Sequence, residues 1–420
     1  ITIPGSVTSI GSSAFYDCHI ITASIPTIAC KAINNKELKE VNITSGEFIE
    51  MESFKGCDSL TSITISDSVT NIGAYAFYGC KSLASVIFGN GVTSIEYEAF
   101  DGCTSLTSIN IPDSVSYIGD GAFYGCSSLS YNIKENIKYL GNSKNSFIVV
   151  MGVTDNALSL YKIDKGAKFL HSNAFEGCAS LTNITIPDGM TSIGSYAFKN
   201  CRSLTSINIP DGMTSIGNYA FKNCSSLTNI NIPDGMMSIG GYAFENCSSL
   251  ASINIPDSVT RIGYSAFSGC SSLKGVYITD IAAWCNIWFG GDYGNPLEYA
   301  HNLYLNNELV TDLVIPDGVT SVCNRAFYGC YLFTSIAIPD SVTSIGKYAF
   351  YGCGSLTSIT IPYSVMQIGD DAFSGCRSLT DITYKGTVEE WRVMEQWGKC
   401  ISGGVTVHCT DGDIYYGSTK

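Results

Sequence analysis

One pattern of apolar and polar positions returns every 23 residues along most of this chain. Between Cys201 and Cys224, the side chains of Leu204, Ile207 and Ile209 fall on one side of a short strand, whose period of two leaves Ser206 and Asn208 pointing the other way. Pro210 removes a backbone donor and ends the strand, and Asp211-Gly212 supplies a turn. Met213 and Ile216 dip inward again before Gly217 bends the chain. Ala220-Phe221 is expected to form a short helical or 3₁₀ turn, with Phe221 as a large core plug and Cys224 as a small one. No such unit can bury its apolar side chains alone, but stacked copies cover one another, and their strands then form a parallel sheet with roughly 4.8 Å between neighbours.

The cysteine slot marks the register at Cys57, Cys80, Cys103 and Cys126, again from Cys178 to Cys270, and again at Cys330, Cys353 and Cys376. A period of this length carrying Leu-x-x-Ile-x-Ile is the signature of leucine-rich repeats. The expected fold is an α/β-type repeat solenoid, a curved right-handed coil with a parallel β-sheet on its concave side and short strands with helical or 3₁₀ turns on its convex side. Residues 1–384 read as one elongated solenoid domain, interrupted by irregular insertions at about 19–56, 127–177 and 276–322. Within the second insertion, Ser146 to Gly152 and Leu158 to Ile163 read as a strand pair, a hairpin or another β-rich excursion. Residues 385–420 read as a C-terminal cap, with a short amphipathic helix over Val388 to Trp397 and a strand near Val405 to His408.

The full unit, Ser-Leu-Thr-Ser-Ile-x-Ile-Pro-Asp-Ser-Val-Thr-Ser-Ile-Gly-x-x-Ala-Phe-x-Gly-Cys, closely resembles the BspA-type leucine-rich repeats of bacterial surface proteins, which some parasitic protists also carry. The resemblance covers nearly all of residues 1–384, and the segments Val276 to Val322 and Tyr384 to Ile414 resemble elements of bacterial members. It implies an exported protein, at the cell surface or secreted, that binds host or microbial extracellular proteins or glycans. The opening residues Ile1 to Gly11 already read as the middle of a repeat, without a basic and apolar leader, so the signal peptide is read as trimmed away. The runner-up role is a structural spacer carrying domains absent from this stretch.

Charge narrows the partners. A formal net charge of -14 and few, scattered basic residues argue against nucleic acid or an anionic membrane as the main partner. The longest apolar run, Phe147 to Val153, is far too short to span a bilayer, so no membrane span is expected.

Candidate binding residues come from positions that face away from the core. Asn208, Asn231 and Asn254 line the outward strand slot, where they either contact a ligand or hydrogen-bond to one another as a ladder. Flanking coils place Ile87, Tyr131 and Tyr277 in the same slot. Trp284, Trp288, Phe289 and Tyr293, beside Asp292, form either a platform for sugar rings or a self-buried cluster. Tyrosines also flank the Ala-Phe pair, among them Tyr219, Tyr242 and Tyr348 before it and Tyr328 and Tyr351 after it, suited to stacking between coils or to recognition. Of the 18 cysteines, the twelve in the repeat slot read as buried free thiols, whereas Cys285, Cys323, Cys400 and Cys409 lie off that ladder and Cys400–Cys409 is the favoured disulfide.

Catalytic constellations are not found. The sequence has no nucleophile elbow, zinc-protease helix or P-loop, and Gly89-Asn90-Gly91 lacks the third glycine of a dinucleotide fingerprint. His19, His171, His301 and His408 fall outside the regular coils, and Asp411-Gly-Asp413 lacks the later ligands of a calcium loop. The expectation is no enzyme, no cofactor and no metal.

Overall fold

The computed structural model describes residues 1–11, 14, 15, 17–33, 36–395, 401 and 404–417. They group into two compact units: unit 1 comprises Ile1–Asp155, Tyr161–Phe175 and Gly189–Ala197, and unit 2 comprises Asn156–Leu160, Glu176–Asp188 and Phe198–Lys420. Both are built as the repeat demands, as parallel-strand solenoid coils. In unit 1 the strands Thr22–Pro26, Glu40–Ser45, Ser62–Ile65 and Ser85–Ile87 form one parallel sheet. In unit 2 the pairing of Ser206 with Asn229, Ile207 with Ile230 and Asn208 with Asn231 shows the register that a fixed period imposes. Each residue sits beside its own repeat equivalent.

That register stacks the core aromatics. Phe54, Phe77, Phe100 and Phe123 lie with ring centroids 5.3, 5.0 and 5.7 Å apart and nearly parallel planes. In unit 2 the pairs Phe221–Phe244 and Phe327–Phe350 repeat this at 5.4 and 5.5 Å. The strand spacing sets these distances, and offset stacking is the geometry a π-system prefers at that range.

The Ala-Phe segment departs from the expected helical or 3₁₀ turn. Its amides alternate between two kinds of partner: Tyr219, Phe221 and Asn223 donate to Gly241, Ala243 and Glu245 of the next coil, while Ala220, Lys222 and Cys224 donate to carbonyls three residues back. Every second peptide must therefore point along the stack, and a helix cannot do this. The reversal places Tyr219 at φ 59° and Asn223 at φ 62°, in the left-handed region. The slot before cysteine is accordingly asparagine or glycine, as at Gly102 with φ 72°.

The cysteine slot has a second reason besides size. The thiols of Cys103, Cys126, Cys224, Cys247 and Cys270 donate to the carbonyls of Phe77, Phe100, Phe198, Phe221 and Phe244 in the preceding coil, at 3.1 to 3.3 Å. Each of those phenylalanine carbonyls also accepts the amide of its own coil's cysteine, as Phe221 accepts from Cys224 at 3.0 Å. Burial pushes the Cys224 and Cys270 thiols up to about 12. Every described cysteine is a free thiol, Cys285, Cys323 and Cys409 among them; Cys400, and with it the expected Cys400–Cys409 disulfide, lies outside the described residues.

Where an insertion interrupts the stack, side chains stand in for the missing coil. In unit 1 the excursion folds as strands Asn132–Lys134, Ile137–Leu140 and Val149–Val153, all antiparallel. Val149–Val153 therefore pairs with the segment before it, not with Leu158 to Ile163, because Glu135 and Asn136, at φ 49° and 64°, close a two-residue hairpin first. The next regular coil is reached by His171, whose buried Nε2 accepts the Phe123 amide while Nδ1 faces the Ser172 carbonyl. In unit 2 the roles reverse. Trp284 Nε1 donates to the Ala326 carbonyl at 2.8 Å, and Asn295 Nδ2 donates to the carbonyls of Arg325 and Ala326.

After the last regular strand, Asp381–Tyr384, the chain forms the helix Val388–Glu395, opened by a reciprocal Thr387–Glu390 cap, and then the strands Val405–Cys409 and Gly412–Tyr416. Val405–Cys409 pairs parallel with Asp381–Tyr384 and antiparallel with Gly412–Tyr416. Trp391 is fully buried beneath them and donates to the Tyr416 hydroxyl.

Two outcomes are expected. In native protein a thiol reagent should modify exposed Cys18 rapidly and leave Cys224, Cys247 and Cys270 untouched until denaturant is added; mass mapping of the labelled peptides checks this. Burial lowers the His171 pKa, so the folded state resists its protonation and stability should fall as pH drops below about 6.5. In His171→Gln that His171-dependent acid loss should vanish, as followed by urea titration at several pH values.

Candidate functional site

In unit 2, Asn208, Asn231 and Asn254 lie on the outward side of strands Ser206–Asn208, Asn229–Asn231 and Ser252–Asn254, and all three are exposed. Among the described residues no side-chain hydrogen bond links them, so the expected ladder is not at this slot. It forms instead at the left-handed position, where Asn223 Nδ2 donates to Asn200 Oδ1 at 2.8 Å and Asn246 Nδ2 to Asn223 Oδ1 at 3.0 Å. There the side chains project along the stack, whereas the strand asparagines point away from it.

The outward slot continues into the insertion with aromatic groups. Asn254 pairs with Tyr277, and Tyr277 with Tyr304. The two tyrosine rings stack at 4.5 Å and 9°, half-buried. They lie over Gly275: a Cβ there would meet Tyr304 Cε2 at 2.9 Å and Tyr277 Cε2 at 3.1 Å. Glycine at 275 thus clears the strand face for the rings, a relation that sequence reading missed because Tyr304 is not in a regular coil. Tyr131 lies in unit 1, half-buried, with Lys138 Nζ 5.8 Å from its ring centroid.

The insertion's aromatics do not form a single platform. Trp284, expected as a contact, is 1% exposed, because its indole N–H serves the Ala326 carbonyl and its ring fills core space beside Phe289. Trp288 is 51% exposed and holds the Arg261 guanidinium over its face at 4.5 Å. It edges a groove of about 430 Å³ floored by Val322, Ile345 and Gly346.

Tyr293 is 48% exposed and opens a second concavity, of about 510 Å³, with Asp292, Glu298, Arg325, Tyr328, Tyr348, Tyr351, Asp371 and Ser374. Tyr328 and Tyr351 stack at 4.8 Å, and Tyr348 meets Tyr351 edge-on at 5.7 Å. Arg325 lies over Tyr348 at 4.6 Å, pairs with Asp292, and approaches Glu298 Oε2 through Nη1 at 3.7 Å. The Glu298 side chain is 4% exposed, and burial lifts its carboxyl to about 7 against the weaker pull of the Tyr293 amide and the Arg325 guanidinium. Tyr328, Tyr348 and Tyr351 are legible in the sequence as flanks of the Ala-Phe pair and Tyr293 as a member of the insertion's aromatic cluster; Glu298 and Arg325 carry no such signal.

A family model described as the BspA type leucine rich repeat region matches in six copies, over residues 1–48, 26–147, 155–284 and 300–393. The chain belongs to this family. Among solved structures, a leucine-rich repeat protein from Bacteroides ovatus is 26% identical, with 88% of this chain and 92% of that one covered and a TM-score of 0.44. The T. pallidum leucine-rich repeat protein is 20% identical, with 65% of this chain and 99% of that one covered and a TM-score of 0.36. A leucine-rich cell surface protein from Faecalibacterium prausnitzii is 23% identical over 96% and 90%, with a TM-score of 0.29. No curated protein matches the chain. The BspA-type repeat is a protein-interaction scaffold, and among the described residues no helix is long and apolar enough to cross a membrane and no group of side chains is arranged to hold a metal ion.

In the C-terminal strands of this BspA-type chain, half-buried His408 bridges three strands: Nε2 meets Asp381 at 3.0 Å and Nδ1 meets Asp413 at 2.9 Å. These two carboxylates raise its pKa. Because the folded pKa is raised, the bridge is fully present below the unfolded value near 6.5 and is lost as pH climbs through the folded one. Amide exchange in Val405–Cys409 should therefore quicken above that pH beyond its intrinsic rise, and His408→Gln should remove the extra acceleration.

Proposed function

We propose that this chain is an exported bacterial surface protein that binds host or microbial extracellular proteins or glycans through the outward strand row and insertion of unit 2. The observation that carries this reading is the Tyr277–Tyr304 stack at the end of the Asn208, Asn231 and Asn254 row. Stacked tyrosines over a glycine offer rigid apolar area with hydroxyl rims, at little cost in side-chain entropy, and the neighbouring amides are not spent on one another. A backbone or sugar running along the row meets donors and acceptors first and aromatic faces next. Trp288 and Tyr293 extend the exposed aromatic surface of the same insertion, and Tyr131 is the corresponding candidate in unit 1. The family role as an interaction scaffold and the cell-surface description of the Faecalibacterium protein support display outside the cell. In this reading residues 1–384 form the solenoid and 385–420 its cap.

The test is a screen of purified protein against extracellular-matrix proteins, mucins and glycans, beside a Tyr277→Ala/Tyr304→Ala variant, with Tyr131→Ala and Trp288→Ala measured separately. Loss of the paired aromatic anchor should weaken a saturable hit by roughly thirtyfold, the effect of about 2 kcal/mol, while the melting temperature moves little. Undiminished binding by the double variant would remove the row from the interface. A chain that binds nothing on the array would favour the spacer role.

A further inference from the structure

The cleft behind Tyr293 is separate from the strand row, and one of its atoms is out of balance. Glu298 sits at the start of the short helix Leu297–Ala300, and its side chain is almost wholly buried. Oε2 faces the Arg325 guanidinium at 3.7 Å, but Oε1 is buried with no hydrogen-bond partner among the described residues. A buried carboxylate oxygen left in this state costs free energy that a bound donor would recover. Around it, among the described residues of the cleft, the carboxylates of Asp292, Asp371 and Glu298 oppose a single cation, Arg325, which already covers Tyr348. The stacked Tyr328–Tyr351 pair and Tyr293 supply the remaining walls.

A buried carboxylate at the floor, acidic side chains nearer the rim and tyrosine faces on the walls select a cation with an apolar stem. The acceptor pattern distinguishes which cation. A guanidinium binds a carboxylate best through two parallel bonds that use both oxygens, whereas an ammonium is a point charge with three separable donors that one oxygen can serve. Here Oε2 is already turned to Arg325, and one oxygen remains. We propose that this cleft takes the ammonium group of a lysine side chain on a partner protein, with Glu298 Oε1 as its buried acceptor and the tyrosine faces along its methylene stem. The Ser374 hydroxyl, which donates to Asp371 Oδ1 at 2.6 Å, fixes that carboxylate at the rim.

The charge state of Glu298 then governs occupancy. Burial holds its carboxyl near 7, while Asp292, Arg325, Tyr293 and Tyr328 are the charged or titratable groups close to it and Asp371 stands across the cleft. Protonation removes the attraction, so affinity should rise with pH through that range. The inference relies on the protein-binding reading only for the owner of the lysine; a failure here leaves the Tyr277–Tyr304 test untouched.

The probe is Nα-acetyl-lysine methylamide, titrated by NMR into the whole chain, with the norleucine and arginine analogues as controls. A ligand of this size that uses one buried charge should bind with Kd of about 1 mM at about pH 8.5 and roughly tenfold more weakly at about pH 5.5. The arginine analogue should bind at least roughly fivefold more weakly than lysine, and norleucine should not saturate. Glu298→Gln should lose at least about tenfold in affinity and all of the pH dependence, with a melting temperature at about pH 8.5 that is unchanged or higher because a buried charge has been removed. Tyr351→Ala should weaken binding without altering the pH midpoint. Equal binding of lysine and norleucine, equal affinity in Glu298→Gln, or no saturable shift would each overturn the proposal.

Discussion

Every coil of this molecule must pair its backbone donors with acceptors on the coils beside it, and the rest of the structure follows from that obligation. An isolated unit is too small to satisfy its own amides or cover its own phenylalanine, so both needs are met by the neighbour. Because neighbours are repeat copies, a residue meets its own kind. Phenylalanine lies on phenylalanine, and asparagine binds asparagine at positions 200, 223 and 246. The left-handed tyrosines and the two-donor phenylalanine carbonyls are further results of the same rule, since peptides that face the next coil must alternate with peptides that close a turn.

The interruptions obey the rule as well. His171 accepts where a carbonyl is missing, and Trp284 and Asn295 donate where amides are missing. A buried tryptophan in an insertion therefore reads more usefully as a backbone surrogate than as a ligand contact. This also explains why Trp288, four residues later and without such a task, is left on the surface with Arg261 across its face. The cleft around Glu298 exists because the substitution is local: Asn295 and Trp284 complete the hydrogen bonds of the following coil, while the helix beside them leaves one carboxylate oxygen unserved.

The periodic residues made the solenoid, the inward set Leu204, Ile207, Ile209 and Phe221, and the buried cysteine slot legible before any coordinates. Each position is constrained identically many times over, so the pattern is redundant. What escaped was decided by single, unrepeated residues. The hairpin closed at Glu135-Asn136 carries no glycine to announce it, and the asparagine ladder was sought on the strand because the sequence does not reveal which slot projects along the stack. Tyr304, Glu298 and Arg325 meet across insertion and regular coil, a juxtaposition that no spacing encodes.

The thiols that bridge coils such as those of Cys103, Cys224 and Cys247 to the coil before give the chain a chemical memory. Coiled, these sulfurs are shielded and protonated; unwound, each becomes an ordinary reactive cysteine. Because each coil contacts only its neighbours, the stack can open coil by coil, and oxidant would then reach the sulfurs in spatial order rather than at random. A brief opening of one coil, otherwise reversible, would then be fixed as a covalent lesion at a known position, and the pattern of oxidised cysteines in recovered protein would read as a map of where the stack comes apart.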